Sequence, residues 1–440
     1  MSKVIVVGGG IAGLTAAWRL QCAGHQIEVL EREAAAGGRM RCERRGGFLV
    51  DSGAQFIFSG YKDLHALASE VGLADQVRPV GRTSSAVLRD GQLHAADYKT
   101  PLAFLRSPLL SLGSKLRLPR VMLQVWKHRR ILDPRWPELA ASIDHEDMPT
   151  LLRRTVGDEA FEYVFGPAFS ATFLSAPDEI SAAFVLLTLR FLLGGFDLQS
   201  FEGGTGRLTA ALAERLQVRT SCTVLRVESN REAATVVYQQ HGNQREAVAD
   251  AVVVALPGSL VPGVCASLTA SERAFFHEVR YVRGVVVFLM TGTAPASLPY
   301  YGVAFPRREG LDLYGVAVAH HKAGSAPEGA GLLNAAFSAE AAARMWNEAD
   351  ERIVDLALAN LARTPIGRLQ PTDAVVYRWD PMLPKFYPGY LSRLGQFLAR
   401  QERSPRLAFA GDYLIGPYTE AAVTSGIRAA EEIGAHFTAS

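Results

Sequence analysis

The 440-residue chain has little of what marks several protein classes. Its four cysteines, Cys22, Cys42, Cys222 and Cys265, have no CxxC or ligand-like spacing, which indicates buried free thiols rather than a disulfide framework or a metal site. The 46 basic and 44 acidic residues leave a formal net charge of +2, too small to indicate a nucleic-acid partner. No uncharged run reaches the roughly 18 residues that span a bilayer.

Motifs of hydrolytic enzymes are also missing. The sequence contains no Gly-x-Ser-x-Gly elbow, no HExxH helix and no paired-carboxylate site. Because an apolar strand begins at Lys3, the start of the chain indicates a first strand rather than a signal peptide, and we expect a cytoplasmic protein. The composition, 48% hydrophobic and 20% charged, is that of a globular enzyme, and the length suits two interleaved domains.

What is present begins at the first strand. Residues 4–7, Val-Ile-Val-Val, run directly into Gly8-Gly9-Gly10-Ile11-Ala12-Gly13, and Glu31 ends the next apolar run. In such a βαβ unit Gly8 permits a tight turn, Gly10 lets backbone N–H groups approach a pyrophosphate, and Gly13 lets the helix pack closely on the sheet. Glu31 is suited to ribose hydroxyls and repels a 2′-phosphate, so FAD or NAD is favoured over NADP. The alternative is a glycine-rich turn without a ligand.

Periodicity outlines the rest of the chain. Residues 61–200 show mainly helical spacing, for example at Met148 to Val156 and Ala182 to Leu193. Strands are predicted at Val224 to Glu228, Thr235 to Gln239 and Ala251 to Ala255 as a sheet that returns to the first domain, and again at Val285 to Met290, Tyr314 to Ala319 and Leu332 to Phe337. A final strand at Arg406 to Phe409 precedes a helix at Thr424 to Ala435.

One basic segment stands out. Between Pro101 and Leu132 the chain has seven Lys or Arg residues and no acid, interleaved with Leu, Val, Phe and Trp126. Two interpretations stay open: helices with a solvated basic outer face, or a patch that rests on anionic lipid at the inner face of a membrane.

Several separated motifs together carry a family resemblance. They are Gly8 to Gly13 with Glu31, Gly37-Gly38-Arg39, Asp51-Ser52-Gly53-Ala54-Gln55-Phe56, Gly203-Gly204, Val224 to Val227, Trp379 with Leu383 to Tyr390, Gly411-Asp412, and Glu420 to Gly426. In order and spacing they make the chain resemble the FAD-dependent amine oxidase superfamily, closest to its protoporphyrinogen-oxidase-like branch. The resemblance implies an α/β fold: a Rossmann-like FAD domain from residues 1–60, 201–270 and 400–440, and a mixed-sheet and helical substrate domain from 61–200 and 271–399.

The resemblance also implies which residues meet the cofactor. Arg39 would lie beside the pyrophosphate or flavin edge, the backbone of Val224 on the adenine, the strip Gly53 to Phe56 along the isoalloxazine ring, and Asp412 at a ribityl hydroxyl. The first N–H groups of the helix after Ala421 to Val423 would face the flavin and stabilise its reduced form. The implied FAD-binding residues are Gly8, Gly10, Ile11, Ala12, Gly13, Glu31, Arg32, Gly38, Arg39, Gly53, Ala54, Gln55, Phe56, Val224, Gly411, Asp412, Ala421, Ala422 and Val423.

The implied chemistry is removal of a hydride from a C–N or C–C unit by the flavin, without a nucleophile or triad. Candidate substrate-cavity residues are Gln55, Phe56, Tyr281, Tyr301, Trp379 and Tyr418. Their aromatic character suggests a flat, apolar substrate, although each one could equally be core packing. A lysine near the flavin in amine oxidases has no match in Tyr281 to Val287, which speaks against direct use of oxygen, and residues 380–405 have no cysteine for a covalent flavin. We therefore expect dissociable FAD and leave the electron acceptor open.

Three interpretations compete. The first is a dehydrogenase or oxidase acting on a protoporphyrinogen-like tetrapyrrole or on a pyrrole or cyclic amine, and an amine oxidase for simple primary or secondary amines is its variant. The second is a non-catalytic binding protein on the same fold. The third is a nicotinamide enzyme. The pair His320-His321 could offer a base, but on a strand these neighbours would point to opposite faces, and packed or solvated rings are favoured.

Overall fold

The computed structural model describes residues 1–81, 84–96, 106–295, 298–402, 404 and 406–439. Its strands, in chain order, are β1 (Lys3–Val7), β2 (Gln26–Leu30), β3 (Cys42–Arg45), β4 (Phe48–Asp51), β5 (Ile57–Phe58), β6 (Val77–Pro79), β7 (Ser85–Arg89), β8 (Gln92–Ala95), β9 (Leu198–Phe201), β10 (Val218–Arg219), β11 (Cys222–Ser229), β12 (Ala234–Gln240), β13 (Asn243–Ala249), β14 (Ala251–Val254), β15 (Gly284–Thr291), β16 (Gly302–Ala304), β17 (Leu313–Val318), β18 (Gly331–Phe337), β19 (Asp373–Trp379) and β20 (Leu407–Phe409).

The α-helices in the same ranges are α1 (Ile11–Cys22), α2 (Lys62–Glu70), α3 (Leu112–Arg117), α4 (Pro119–Lys127), α5 (Met148–Val156), α6 (Asp158–Ala160), α7 (Gly166–Phe173), α8 (Ala182–Leu192), α9 (Gly206–Ala213), α10 (Val261–Val264), α11 (Ala270–Glu278), α12 (Ala339–Arg344), α13 (Asp350–Leu361), α14 (Tyr390–Leu398) and α15 (Thr419–Ala439). Among the described residues, no helix has both the length and the apolar composition needed to cross a bilayer.

A five-stranded parallel sheet, in the order β10-β2-β1-β14-β20, draws its strands from three distant stretches of the chain. Its central strands are β-branched runs that are buried on both faces, as parallel strands require. Val4 and Val6 pack with helices α1 and α15 on one face, whereas Ile5 and Val7 belong to the cluster on the other. The carboxyl ends of β1, β2, β14 and β20 therefore meet at one edge.

A second, seven-stranded sheet has the order β19-β15-β18-β17-β16-β7-β8 and is antiparallel except where β16 pairs with β7. Helices α12 and α13 cover one of its faces. The other face packs against Phe48 and Val50 of β4 through Val286, Phe288 and Met290 of β15. The segment that follows β4 therefore runs between the two sheets, and the α/β architecture with a second mixed-sheet layer is confirmed.

Several local details differ from the predictions. The strands predicted within 222–229 and 234–240 are present, but with β13 they form a separate antiparallel sheet, and of the three predicted strands only β14 joins the parallel sheet. The mainly helical stretch 61–200 also contains the hairpin β7–β8, which extends the seven-stranded sheet. The last helix begins at Thr419, five residues earlier than expected, so its first turn includes Thr419 and Glu420.

Two predictions about side chains also need correction. His320 and His321 lie on a 3₁₀ turn, not on a strand. Their rings therefore do not point to opposite faces; the ring centroids are only 4.6 Å apart. His320 Nδ1 and His321 Nε2 lie within hydrogen-bond distance of backbone groups of Leu332 and Leu298. All four cysteines are free, but Cys22 is exposed and Cys42 half-buried, so only Cys222 and Cys265 are the buried thiols that were expected.

Candidate functional site

The glycine loop between β1 and α1 forms the floor of the site. Gly13 approaches the loop so closely that a Cβ atom there would lie 2.0 Å from the backbone oxygen of Gly8, so only glycine fits. Around Gly10, by contrast, a Cβ would meet nothing within 4 Å, which leaves open space above the start of α1. No side chain caps this helix and no acidic residue occupies its first turn, so its leading N–H groups, from Ile11 onward, are available to an anion.

A second glycine loop closes over the first. Gly37 N–H donates to the carbonyl of Gly9 at 2.8 Å, and Gly10 and Gly37 form an isolated parallel bridge. A Cβ on Gly38 would lie 3.2 Å from the Cα of Gly10. The predicted doublet and the predicted fingerprint are thus parts of one continuous surface.

Glu31 is buried at the end of β2 and faces this surface. Its Oε2 accepts from Gly9 N–H at 2.7 Å, and its Oε1 accepts from Glu33 N–H at 2.8 Å. Each carboxylate oxygen keeps a further lone pair for a ribose hydroxyl. The backbone of Cys222 donates to the Glu31 carbonyl, which brings β11 and hence Val224 alongside. Arg32, in contrast, points to solvent and pairs with Glu33.

Arg39 and Asp412 bind each other across the site. The guanidinium lies 2.8 Å from the Asp412 carboxylate and also donates to the carbonyl of Met382, and it sits 5.8 Å over the Tyr281 ring. Burial, reinforced by the charge of Asp412, raises the pKa of Tyr281, whose phenolic oxygen accepts from Gly258 N–H. Asp412 lies three residues after the end of β20, so the pair joins the second glycine loop to the carboxyl edge of the parallel sheet.

The strip Ser52 to Phe56, which includes the residues Gly53 to Phe56 that were predicted to lie along the flavin, runs beside Arg39. Ala54 N–H donates to the Arg39 carbonyl at 2.9 Å, and a Cβ on Gly53 would collide with that same oxygen. Gln55 turns its amide back onto the carbonyls of Asp51 and Gly53. Trp379 donates from its indole to the carbonyl of Ser52 at 3.0 Å.

Of the aromatic candidates, Tyr281 contacts Arg39 and Trp379 contacts Arg41 and Ser52, whereas Phe56, Tyr301 and Tyr418 belong to one connected group, here called the aromatic wall. It consists of Phe56, Phe58, Tyr61, Phe191, Tyr301 and Tyr418, with neighbouring ring centroids 5.2 to 6.1 Å apart. Tyr418 stacks on Phe191 and on Tyr61, and Phe56 meets Tyr301 edge-on. Tyr418 immediately precedes α15, so Ala421, Ala422 and Val423 lie inside this helix and not, as was predicted, before it. Phe58, Tyr61 and Phe191 were not predicted as cavity residues.

Sequence reasoning also missed Lys322. Its ammonium is buried and binds the carboxylate of Asp51, at the end of β4, and the carbonyl of Gln55. The family resemblance drew attention to residues 281–287, whereas Lys322 follows a 3₁₀ turn after β17. A lysine flanked by His and Ala carries no pattern that marks it as buried, so only its distant partner Asp51 reveals it.

These residues fit FAD. An uncapped helix start over open space suits a diphosphate, a buried carboxylate at the end of β2 suits a ribose, and a long continuous surface runs on through Arg39 to the strip. The arrangement therefore defines a dinucleotide-binding protein of the α/β class.

Comparison with known proteins narrows this class. Over residues 11–434 the chain matches, and thus belongs to, the family described as flavin containing amine oxidoreductase. It is 23% identical to the mitochondrial protoporphyrinogen oxidase of Nicotiana tabacum, covering 98% of this chain and 94% of that one. It is 25% identical to the coproporphyrinogen III oxidase of Mycobacterium tuberculosis (strain ATCC 25618 / H37Rv), covering 97% and 96%.

A solved structure shares the fold: putrescine oxidase bound to putrescine, with a TM-score of 0.80, 20% identity and 99% of both chains covered. The protein is therefore an FAD-dependent oxidoreductase, as the sequence indicated. When bound, FAD supplies a two-electron acceptor for a hydride.

Proposed function

We propose that this enzyme removes a hydride from a C–N or C–C unit of a flat, apolar or aromatic small molecule, with a tetrapyrrole-like or pyrrole-like ring system as the favoured substrate. The aromatic wall carries the proposal. Six rings in continuous contact extend from Tyr301, beside the seven-stranded sheet, to Tyr418 at the start of α15. Stacked and edge-on rings are the surface on which a flat conjugated molecule gains most contact.

The site assignment belongs to the same proposal. The strip Gly53 to Phe56 lies along the flavin ring, Asp412 and Arg39 hold the ribityl and diphosphate part, and Val224 contacts the adenine. The helix start after Tyr418 faces the flavin with its N–H groups, which favours the reduced, anionic cofactor. The flavin is held without a covalent bond, because residues 380–405 contain no cysteine. Acid precipitation of the holoprotein should accordingly leave all flavin in solution, and flavin retained in the pellet would refute this point.

The relatives support two substrate classes. Two carry porphyrinogens in their names and the structural neighbour binds putrescine, so an amine substrate is the second candidate. Aromatic faces also hold cations, which makes the wall compatible with an amine.

Anaerobic titration separates the two classes. Holoprotein is mixed under argon with porphyrinogens, pyrrolines, cyclic amines and primary amines, and loss of the visible flavin band is followed. We expect ring substrates to reduce the flavin fastest and reduced nicotinamide not to reduce it. Fastest reduction by a primary amine would establish the second candidate, and failure of the purified chain to bind FAD would overturn both.

The same titration addresses the electron acceptor. Because β15 carries no lysine, we propose that reduced flavin reacts slowly with oxygen and passes its electrons to another acceptor. Admitting air after reduction should restore the flavin band slowly. Immediate reoxidation would show that oxygen is the acceptor.

We also propose that α3 and α4 rest on anionic lipid. Leu112, Leu116, Leu123 and Trp126 are 62 to 70% exposed, and Val121 and Val125 hold α4 on the core from its other side. Their exposed neighbours are basic: Arg117, Arg120, Lys127, Arg129 and Arg130. Residues 106–132 contain no acid, and residues 101–105 of the predicted segment lie outside the described part. Apolar side chains ringed by positive charge suit the interface of a negatively charged bilayer.

Vesicle sedimentation tests this contact. We expect the protein to pellet with vesicles that contain phosphatidylglycerol and to stay in solution with pure phosphatidylcholine. The double variant Leu123→Ser/Trp126→Ser should lose binding, whereas Leu225→Ser, an exposed leucine on β11, should not. Equal behaviour with both vesicle types would refute the proposal.

A further inference from the structure

Lys322 is an unusual side chain for its position. Only 4% of it is exposed, and its partner Asp51 is 1% exposed. A buried ammonium is costly unless a carboxylate and further acceptors surround it, and here Asp51 and the Gln55 carbonyl, at 3.1 Å, provide both. The two partners are 271 residues apart in sequence: Asp51 ends β4, and Lys322 lies in the segment between β17 and β18.

Asp51 connects this ammonium to a third element. Its Oδ1 accepts from the backbone N–H of Thr205 at 2.9 Å and from the Thr205 hydroxyl at 3.1 Å. The same hydroxyl lies 2.8 Å from the carbonyl of Ala54. Asp51 therefore joins β4, the turn before α9, and Lys322 at one buried point.

Two side chains from the part of the chain that forms the seven-stranded sheet thus bind the strip Ser52 to Phe56, one near each end of it. Lys322 donates to the carbonyl of Gln55, and Trp379, at the end of β19, donates to the carbonyl of Ser52. Backbone carbonyls bound from outside fix the path of a segment that has no regular secondary structure of its own.

We infer that Lys322 is a positioning residue for the cofactor: paired with Asp51, it holds the strip Ser52 to Phe56 in the conformation that meets the flavin. This inference rests on the proposed contact between that strip and FAD. It makes cofactor affinity depend on a side chain from the segment between β17 and β18, whose hydrogen bonds within the described residues go to Asp51 and Gln55.

The test compares two charge-neutral replacements of buried ion pairs. Lys322→Met/Asp51→Asn removes the pair in question. Arg400→Met/Glu272→Gln removes the pair between Arg400, two residues after α14, and Glu272 of α11, whose side chains are 7% and 2% exposed. Glutamine at position 272 can still accept the capping hydrogen bond of α11. FAD dissociation constants, the shape of the visible band of bound flavin and unfolding midpoints are measured for both.

We expect the Lys322 variant to raise the FAD dissociation constant about tenfold or more and to alter the flavin band. The Arg400 variant should lower the unfolding midpoint but leave affinity and spectrum unchanged. Unchanged affinity and spectrum in the Lys322 variant, or equal losses in both variants, would overturn the inference.

Two further outcomes are separable. If the Lys322 variant does not fold, Trp379→Phe keeps a ring and removes only the bond to Ser52. It should weaken FAD binding by a few-fold, and an unchanged constant and spectrum would overturn the inference. A wild-type chain that binds no FAD would instead refute the proposed function, before any variant is compared.

Discussion

Glu31 binds two backbone N–H groups and still offers lone pairs to a ribose. Replacing it by glutamine removes the charge and one acceptor. We expect Glu31→Gln to weaken FAD binding about tenfold to a hundredfold, since a hydrogen bond to a charged group contributes about 1.5 to 3 kcal/mol. Fluorescence titration of the apoprotein measures this. Glu33→Gln is the control, because the Glu33 side chain is exposed and, within the described residues, its ion pair is with Arg32; equal losses in both would contradict the role of Glu31.

Glu420 is a buried carboxyl in the first turn of α15. It accepts from the N–H groups of Asp63 and Leu64 at the start of α2, and burial raises its pKa from 4.5 to about 7. Because the folded state favours the protonated form, this group's contribution to stability is fully present below pH 4.5 and is lost as the pH rises through 7.

The predicted consequence is a difference in pH dependence. Between pH 5 and pH 8 the free energy of unfolding of the wild type should fall by about 2 to 3 kcal/mol relative to that of Glu420→Gln, since one pKa unit corresponds to about 1.4 kcal/mol. Urea unfolding of both proteins at several pH values tests this. Parallel profiles would show that Glu420 does not titrate in this range.

At the scale of elements, the close contact between α1 and α15 positions both helix starts at the carboxyl edge of the parallel sheet. A Cβ on Gly426 would lie 2.3 Å from the Ala12 carbonyl, whereas a Cβ on Gly434 of the same helix would meet nothing within 4 Å. Gly426→Ala should cost about 1 to 3 kcal/mol and weaken FAD binding, because the helices must separate. Gly434→Ala should add up to about 1 kcal/mol of stability from helix propensity. Thermal unfolding of both variants, each with and without FAD, measures these effects. Equal unfolding midpoints in the two variants would contradict the role of Gly426 in the contact between α1 and α15.

The aromatic wall gives a second element-scale prediction. Tyr418→Leu removes the ring that stacks on both Phe191 and Tyr61. We expect it to raise KM for a flat substrate about tenfold, because stacking contributes about 0.5 to 1.5 kcal/mol per pair. Phe397→Leu breaks a comparable stack with Phe275 in the core, at 4.2 Å. It should lower stability and leave KM unchanged; a KM shift in this control alone would exclude the wall as the substrate surface.

Sequence patterns predicted the elements that are regular over several residues. Sequence predicted these elements because their apolar pattern continues over several residues: the βαβ unit at the start, the strands at 285–290 and 332–337, and helices such as α5. The hairpin β7–β8 and the separate sheet of β11 to β13 were not predicted, because strand pairing depends on distant partners. The Lys322–Asp51 pair escaped for the same reason: neither residue has a neighbour in sequence that reveals the other.

For the whole molecule, FAD should act as a clamp between distant stretches of chain. At about one hundred times its dissociation constant, a ligand stabilises the folded state by about 2.7 kcal/mol. We expect added FAD to raise the unfolding midpoint of the apoprotein. FMN at equal concentration should raise it less, because it lacks the adenylate half that Glu31 and the fingerprint loop would hold. Equal shifts of the unfolding midpoint by FAD and FMN would show that Glu31 and the fingerprint loop do not hold the adenylate half of FAD.

The parallel sheet also sets an order of events during synthesis. β1 leaves the ribosome some 250 residues before its neighbour β14, and β20, the partner of β14, follows later still. Until α15 emerges, the apolar face of β1 and α1 has no permanent cover. The nascent protein therefore completes its nucleotide site only after β20 and α15 have emerged, and a ribosome stalled before residue 407 would display an exposed hydrophobic sheet for chaperones to bind.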